Sequence, residues 1–148
     1  MATLREDPYT GYNFLVEVAG LEPGSAEAGF SEVSGLSAEL TVVEYRNGNE
    51  KVNTVRKLPG LVKYPHIVLK RGVTGDLALW QWISQSIQGN VQRVDGSIVL
   101  LDEARNPVLR WKFRRGWPCR YEGPSLAAKG NQVAIETLEI CHEGLEIE

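Results

Sequence analysis

No stretch of this chain stays apolar for the roughly 20 residues that a membrane-spanning helix needs. The opening residues, MATLREDPYTG, carry no apolar h-region, which predicts no secretory signal and synthesis in a cytoplasm. Cysteine is scarce. Cys119 and Cys141 are too far apart for a CxxC pair, and only His66 and His142 could join them, so no metal site is expected. Two small buried thiols in a reducing compartment are expected instead. An excess of positive charge is also missing. The formal net charge is −3 and the pI about 5.5, which argues against a nucleic-acid-binding domain. The motifs G-x-S-x-G, H-E-x-x-H, GxxxxGK[ST] and GxGxxG are absent, and GLSAE (35–39) lacks the second glycine of the first of these.

What the chain does have is alternation. Its 148 residues, 43% hydrophobic and 24% charged, suit one domain with a genuine core. In GYNFLVEVAG, Tyr12, Phe14, Val16 and Val18 fall on one face of a half-buried strand, with Asn13 and Glu17 on the other. LEPGSAEAG reads as a loop, FSEVSGL as a short strand ending at Gly35, and ELTVVEYR (39–46) as a further strand broken by NGN. YPHIVLKRG (64–72) is a fourth strand, with Pro65 near its start. One segment changes period. Leu77, Trp80, Ile83 or Ser84, and Ile87 recur at helical spacing, capped by Thr74 or Asp76 and ended by Gly89–Asn90. Leu79 and Trp82 add a second apolar strip, wider than one sheet face needs, so the helix either plugs a barrel end or meets another chain.

Residues 97–101 are continuously apolar, which predicts burial on both faces; Asp95–Gly96 is an alternative tight hairpin. DEARNP is a turn and 107–115 the return strand. In NQVAIETLEICHEG, Val133 and Ile135 share one face while Leu138 and Ile140 share the other. The phase flip near Glu136–Thr137 predicts a bulge or a strand passing between sheets. The expected fold is mainly β: two packed antiparallel sheets, as a barrel or sandwich, with one internal helix. No repeat or linker divides it.

RWKFRRGWPCR (110–120) mixes five basic and three aromatic residues and suggests phosphate and base contacts. Alternation separates them, however. Leu109, Trp111 and Phe113 face one way and Arg110, Lys112 and Arg114 the other, in a strand expected to end at Gly116–Trp117–Pro118. No ring then lies in the basic stripe to stack on a base. Cys141 and His142, as strand neighbours, point to opposite faces. Cys119 with His142 and Asp102 makes a nucleophilic set only on paper. His66, beside Pro65, reads as a satisfied or rim histidine. Glu39, Glu44, Glu136, Glu139, Glu143 and Glu146 read as a solvated face, with no pair singled out as a glycosidase would need. Residues 47–63, NGNEKVNTVRKLPGLVK, form a long, polar, basic segment between strands, with Val52, Val55 and Leu58 as isolated anchors. It reads as a mobile surface loop or as a long hairpin arm reaching a neighbouring subunit.

Taken in order, FSEVSGLSAELTVVEYRNG, RKLPGL, LKRGVTGD, LWQWI, GSIVLLDE, VLRWKFRRGWPCRYEGPSL and AIETLEICHEGLE resemble the tail tube protein family. These are the inner-tube subunits of contractile phage tails and phage-tail-like extracellular contractile injection systems, related in fold to the haemolysin co-regulated protein. The resemblance implies one tail-tube domain over 1–148 and hexameric rings stacked as a hollow tube inside a sheath. It implies no catalytic residue, metal or cofactor. Its partners would be the sheath protein, baseplate or tube-initiator and tube-terminator proteins, and a cargo effector or phage DNA in the lumen, with no integral membrane association. Assembly would take place in a bacterial cytoplasm, before incorporation into a phage tail or injection particle. A stacking arm made of Arg46, Asn49, Lys51, Arg56, Lys57 and Leu58 would meet carboxylates of a neighbour. Arg110, Lys112 and Arg114 would line the lumen or an interface, with Glu136 or Glu139 as partners in kind. Alternatives are a specialised tube initiator, a small barrel binding single-stranded nucleic acid, and an enzyme with dispersed residues.

Overall fold

The computed structural model describes residues 4–18 and 30–148; the loop expected over 21–29 lies outside them. The strands are β1 (Phe14–Val18), β2 (Phe30–Ser34), β3 (Glu39–Tyr45), β4 (Arg56–Lys63), β5 (Ile67–Gly72), β6 (Val94–Leu101), β7 (Pro107–Glu122), β8 (Ile135–Cys141) and β9 (Gly144–Ile147). One helix, α1 (Ala78–Ile87), lies between β5 and β6. All pairing is antiparallel. The first sheet runs β1–β6–β7, with β9 on the other side of β7, and the second runs β7–β8–β5–β2. β3 and β4 form a separate hairpin.

β7 joins the two sheets. Its first half pairs with β6 and β9, and its second half, Trp117–Glu122, with β8. The strand does not end at Gly116–Pro118 as the composition suggests; it bends there and continues. An extra residue on β7 near 114–115 shifts its register against β6. Arg115 takes the left-handed conformation (φ 53°), and its N–H donates to Asp95 Oδ1 at 3.0 Å. Gly116 is required at the bend because a Cβ there would lie 2.6 Å from the Phe113 ring. Asp95–Gly96 is no hairpin; it lies inside β6, which is buried on both faces from Ser97 to Val99.

Both sheets face one core of Val16, Val18, Ile67, Leu69, Ile98, Phe113, Leu138 and Ile140. α1 closes that core, but not with the stripe that sequence spacing favours. Leu79, Trp82 and Ile83 are buried, while Leu77, Trp80 and Ile87 face outward. Asp76 Oδ1 accepts the Ala78 N–H at 3.0 Å, and Gly89 (φ 92°) stops the helix.

The phase flip expected in the last long strand does not occur. β8 alternates regularly, with Glu136, Leu138 and Ile140 all inward. Val133 precedes the strand and is exposed. The inward position was hidden because a carboxylate occupies it. Glu136 Oε1 accepts from Arg71 Nε at 2.6 Å, and Glu136 Oε2 accepts from Tyr121 OH at 2.7 Å. The Arg71 guanidinium also donates to the Asp76 carbonyl at 3.0 Å and lies 5.8 Å from the Phe30 ring centroid. A hydrogen-bonded charge pair thus fills a site where two apolar residues would otherwise meet.

At the N-terminal end, Arg5 grips Glu103 in a two-pronged ion pair, 2.8 and 3.0 Å, across the β6–β7 turn. Those hydrogen bonds hold the Glu103 carboxyl down to about 2.

Two outcomes follow. Glu136→Ala should destabilise the fold by about 3–5 kcal/mol in chemical denaturation, because it strands a buried guanidinium; Arg71→Met with Glu136→Leu should cost much less. Arg5→Ala should return Glu103 to the ordinary carboxylate range in an NMR titration. The lowered value means that the Arg5–Glu103 contribution is present above the unfolded-state value and lost as pH falls towards about 2.

Candidate functional site: an assembly surface

The hairpin β3–β4 is apolar on both sides. On one face Val43 lies opposite Leu58 and Tyr45 opposite Arg56. On the other, Leu40 lies opposite Val62, Val42 opposite Pro59 and Glu44 opposite Lys57. Leu40, Val42, Val43, Tyr45, Leu58, Leu61 and Val62 are all exposed. The β-branched run explains the strands, and a bulge at Gly60–Leu61 lets Thr41 Oγ1 donate to the Leu61 carbonyl at 2.7 Å. Part of the segment read as a loop is therefore strand: Arg56–Lys63 is β4, and the connection is limited to 46–55.

That connection is organised by its own charges. Arg46 donates to the carbonyls of Glu50 (2.8 Å) and Val52 (3.1 Å) and to Asn53 Oδ1 (3.4 Å). Tyr45 OH donates to Asn47 Oδ1. Arg56 pairs with Glu50 at 3.0 Å. Arg46 and Arg56 are thus engaged within the arm. Asn49, Lys51 and Lys57 are exposed, and among the described residues neither lysine forms an ion pair.

The basic strand keeps the expected division. Phe113 is buried and Trp111 packs on the core, while Arg110, Lys112 and Arg114 are on the outer face. Within the chain two of them have acidic partners. Arg110 donates to Glu17 Oε2 at 2.6 Å and contacts Ser97 Oγ at 3.2 Å. Lys112 pairs with Glu148 at 2.8 Å. Arg114 lies across Gly144, where a Cβ would sit 2.4 Å from its Nε; among the described residues it has no ion pair. Glu136 is spent on Arg71. Glu139 accepts from Arg120 at 2.9 Å on the outer face of the second sheet, with His66 at 3.3 Å. Neither glutamate is available to the basic strand of its own chain.

The paper nucleophilic set is not assembled. The His142 ring is buried between the carbonyls of Gly144 (3.0 Å) and Pro65 (3.2 Å), and Asp102 accepts the Asn106 N–H in the β6–β7 turn. Cys119 instead contacts His66 Nδ1 at 3.6 Å. Among the described residues no three His, Cys, Asp or Glu side chains could hold a metal ion, and no helix is long and apolar enough to cross a membrane. The sequence reading missed the Arg71–Glu136–Tyr121 network. Its signal was present: Arg71 continues the inward phase of Ile67 and Leu69.

A two-sheet body with a two-sided apolar arm and charged outer faces defines a structural, assembly-forming subunit. The chain belongs to the family described as T4-like virus tail tube protein gp19, which matches residues 10–146. The family is one of structural tube proteins, and the chain is a tail tube protein of contractile injection systems. It is similar to a chain of the six-fold symmetrised baseplate of the anti-feeding prophage, with 28% identity, 97% of each chain covered and a TM-score of 0.84. It is similar also to a chain of the sheath–tube complex, in the extended state, of the PVC extracellular contractile injection system. There the identity is 28%, coverage is 97% of this chain and 93% of that one, and the TM-score is 0.80. Hcp1 from Flavobacterium johnsoniae shares the fold, with 16% identity, coverage of 90% and 93%, and a TM-score of 0.54. No curated protein matches.

The Arg120 hydrogen bond holds the Glu139 carboxyl below the usual carboxylate range. Arg120→Ala should therefore raise the Glu139 titration midpoint, read by NMR. The stabilisation it removes is present above the unfolded-state value and lost as pH falls through the folded one.

Proposed function

We propose that this chain is the repeated subunit of the hollow inner tube, six copies to a ring, with rings stacked inside a contractile sheath. The observation that carries this reading is the hairpin. A two-stranded ribbon exposing valines, leucines and a tyrosine on both faces is at best marginally stable in water by itself, and contact with a neighbouring copy supplies the missing burial. Rings close and tubes extend through head-to-tail interfaces, which suit an arm on one side of a subunit and a receiving surface elsewhere. Leu58, with Val43 beside it, is the apolar contact. Lys51 and Lys57 meet carboxylates of the neighbour, while Asn49 sits at the tip and Arg46 and Arg56 hold the arm in shape. Arg110, Lys112 and Arg114 form a largely neutralised wall, on the lumen or at an interface, past which a cargo effector or DNA slides without being held. Sheath, baseplate and terminator proteins are the further partners. Assembly takes place in the bacterial cytoplasm, and the tube then becomes part of the particle.

A second reading, a specialised initiator next to the baseplate, is favoured by the similarity to a baseplate chain. Electron microscopy of purified full-length chain separates the two. Long tubes support the repeated subunit, and single rings that do not elongate support the initiator. A monomer that binds oligonucleotide in a salt-dependent way overturns both. Val43→Asp with Leu58→Asp should abolish stacking while leaving the thermal midpoint of the monomer within a few degrees of the parent. Normal-length tubes from that variant would sink the assignment of the arm.

A further inference from the structure

Cys119 and Cys141, distant in sequence and expected to be two separate buried thiols, meet on the outer face of the second sheet. β7 carries an extra residue between Pro118 and Arg120, which places Cys119 beside the β8 backbone, 3.5 Å from the Glu139 carbonyl. Cys141 ends β8 opposite Trp117. Cys119 lies two residues on from Trp117, the partner of Cys141, so the two thiols are diagonal neighbours on adjacent strands, and both are free and only part-buried. The core contains neither. Among the described residues they belong to no metal-binding cluster.

We propose that Cys119 and Cys141 are a redox pair that closes to an intramolecular disulfide on meeting an oxidising low-molecular-weight disulfide, stapling the second half of β7 to β8. The surroundings set the order of events. Burial pushes the Cys119 thiol up to about 11, so it remains a protonated donor. Burial raises Cys141 as well, but a backbone hydrogen bond and the charge of Arg93 oppose that rise. Cys141 is therefore the first nucleophile. Its thiolate attacks one sulfur of oxidised glutathione, forms a mixed disulfide and expels one glutathione thiolate. Cys119 then gives up its proton to solvent. It attacks the Cys141 sulfur, and the second glutathione leaves as thiolate. Two protein thiols are oxidised and one glutathione disulfide is reduced to two thiols.

The staple matters because, among the described residues, the second half of β7 pairs only with β8, and residues 123–134, between the two strands, form no strand or helix. A cross-link there removes chain entropy from the unfolded state. The inference does not depend on tube formation.

The test incubates the full chain in glutathione buffers of graded redox ratio, quenches with acid, alkylates, and reads intact mass and linked peptides. The expected result is loss of the mass of two hydrogens with no alkylation and one peptide linking Cys119 to Cys141. The thermal midpoint should rise by roughly 5 °C, reversed by reductant. Cys119→Ser should leave a stable glutathione adduct on Cys141, and Cys141→Ser should oxidise markedly more slowly. Two alkylatable thiols at every ratio, two separate glutathione adducts, or only interchain dimers on a non-reducing gel would each overturn the proposal. The linked-peptide measurement on the unmutated chain decides the matter even if a serine variant fails to fold.

Discussion

Arg71 and Glu136 meet side by side on β5 and β8, inside the sheet and out of reach of water. A buried guanidinium is tolerable only when its charge is met and its donors are filled, and here four elements contribute. Glu136 from β8 supplies the charge, and Tyr121 from β7 satisfies its second oxygen. The Asp76 carbonyl, at the mouth of α1, takes another guanidinium N–H, and the Phe30 ring of β2 lies over the group. The pair thus fixes the register of the second sheet and the point where the helix leaves it. The Trp80 ring, 5.4 Å edge-on from Tyr121, extends the same junction to the outer side of α1.

From that junction the rest of the body follows. α1 is set so that Leu79, Trp82 and Ile83 close the core. β7 can then serve both sheets, turning at Arg115–Gly116 where only a glycine clears Phe113. The body needs no help from β3 and β4, and that independence leaves the hairpin free to carry apolar residues on both faces.

Charge on the outer surfaces is arranged to be quiet. Glu17, Glu148 and Glu143 meet Arg110, Lys112 and Arg115. Such exposed pairs add little stability, but they prevent a basic stripe from acting as a nucleic-acid site.

Alternation and turn residues along the chain were enough to determine most of the strands, the single helix, the mainly β class and the division of Leu109–Arg114 into an apolar and a basic face. Those features depend on local periods of two and 3.6, which a sequence displays directly. The order of the quoted fragments also pointed to the tail tube family. Other features were decided only in three dimensions. The inward phase of β8 was hidden because Glu136 stands where an apolar residue was expected. The buried stripe of α1 depended on which side the sheet lay, and spacing alone could not choose between Trp80 and Trp82. β4 was read as loop because its pairing with β3, rather than its composition, makes it a strand. The partners that Arg46 and Arg56 find in their own hairpin, the Glu50 and Val52 carbonyls and the Glu50 carboxylate, show only in the folded chain. Cys119 and Cys141 came together because β7 carries a bulge. In each case the deciding fact was a partner distant in sequence, and partner choice is set by packing, not by any local pattern.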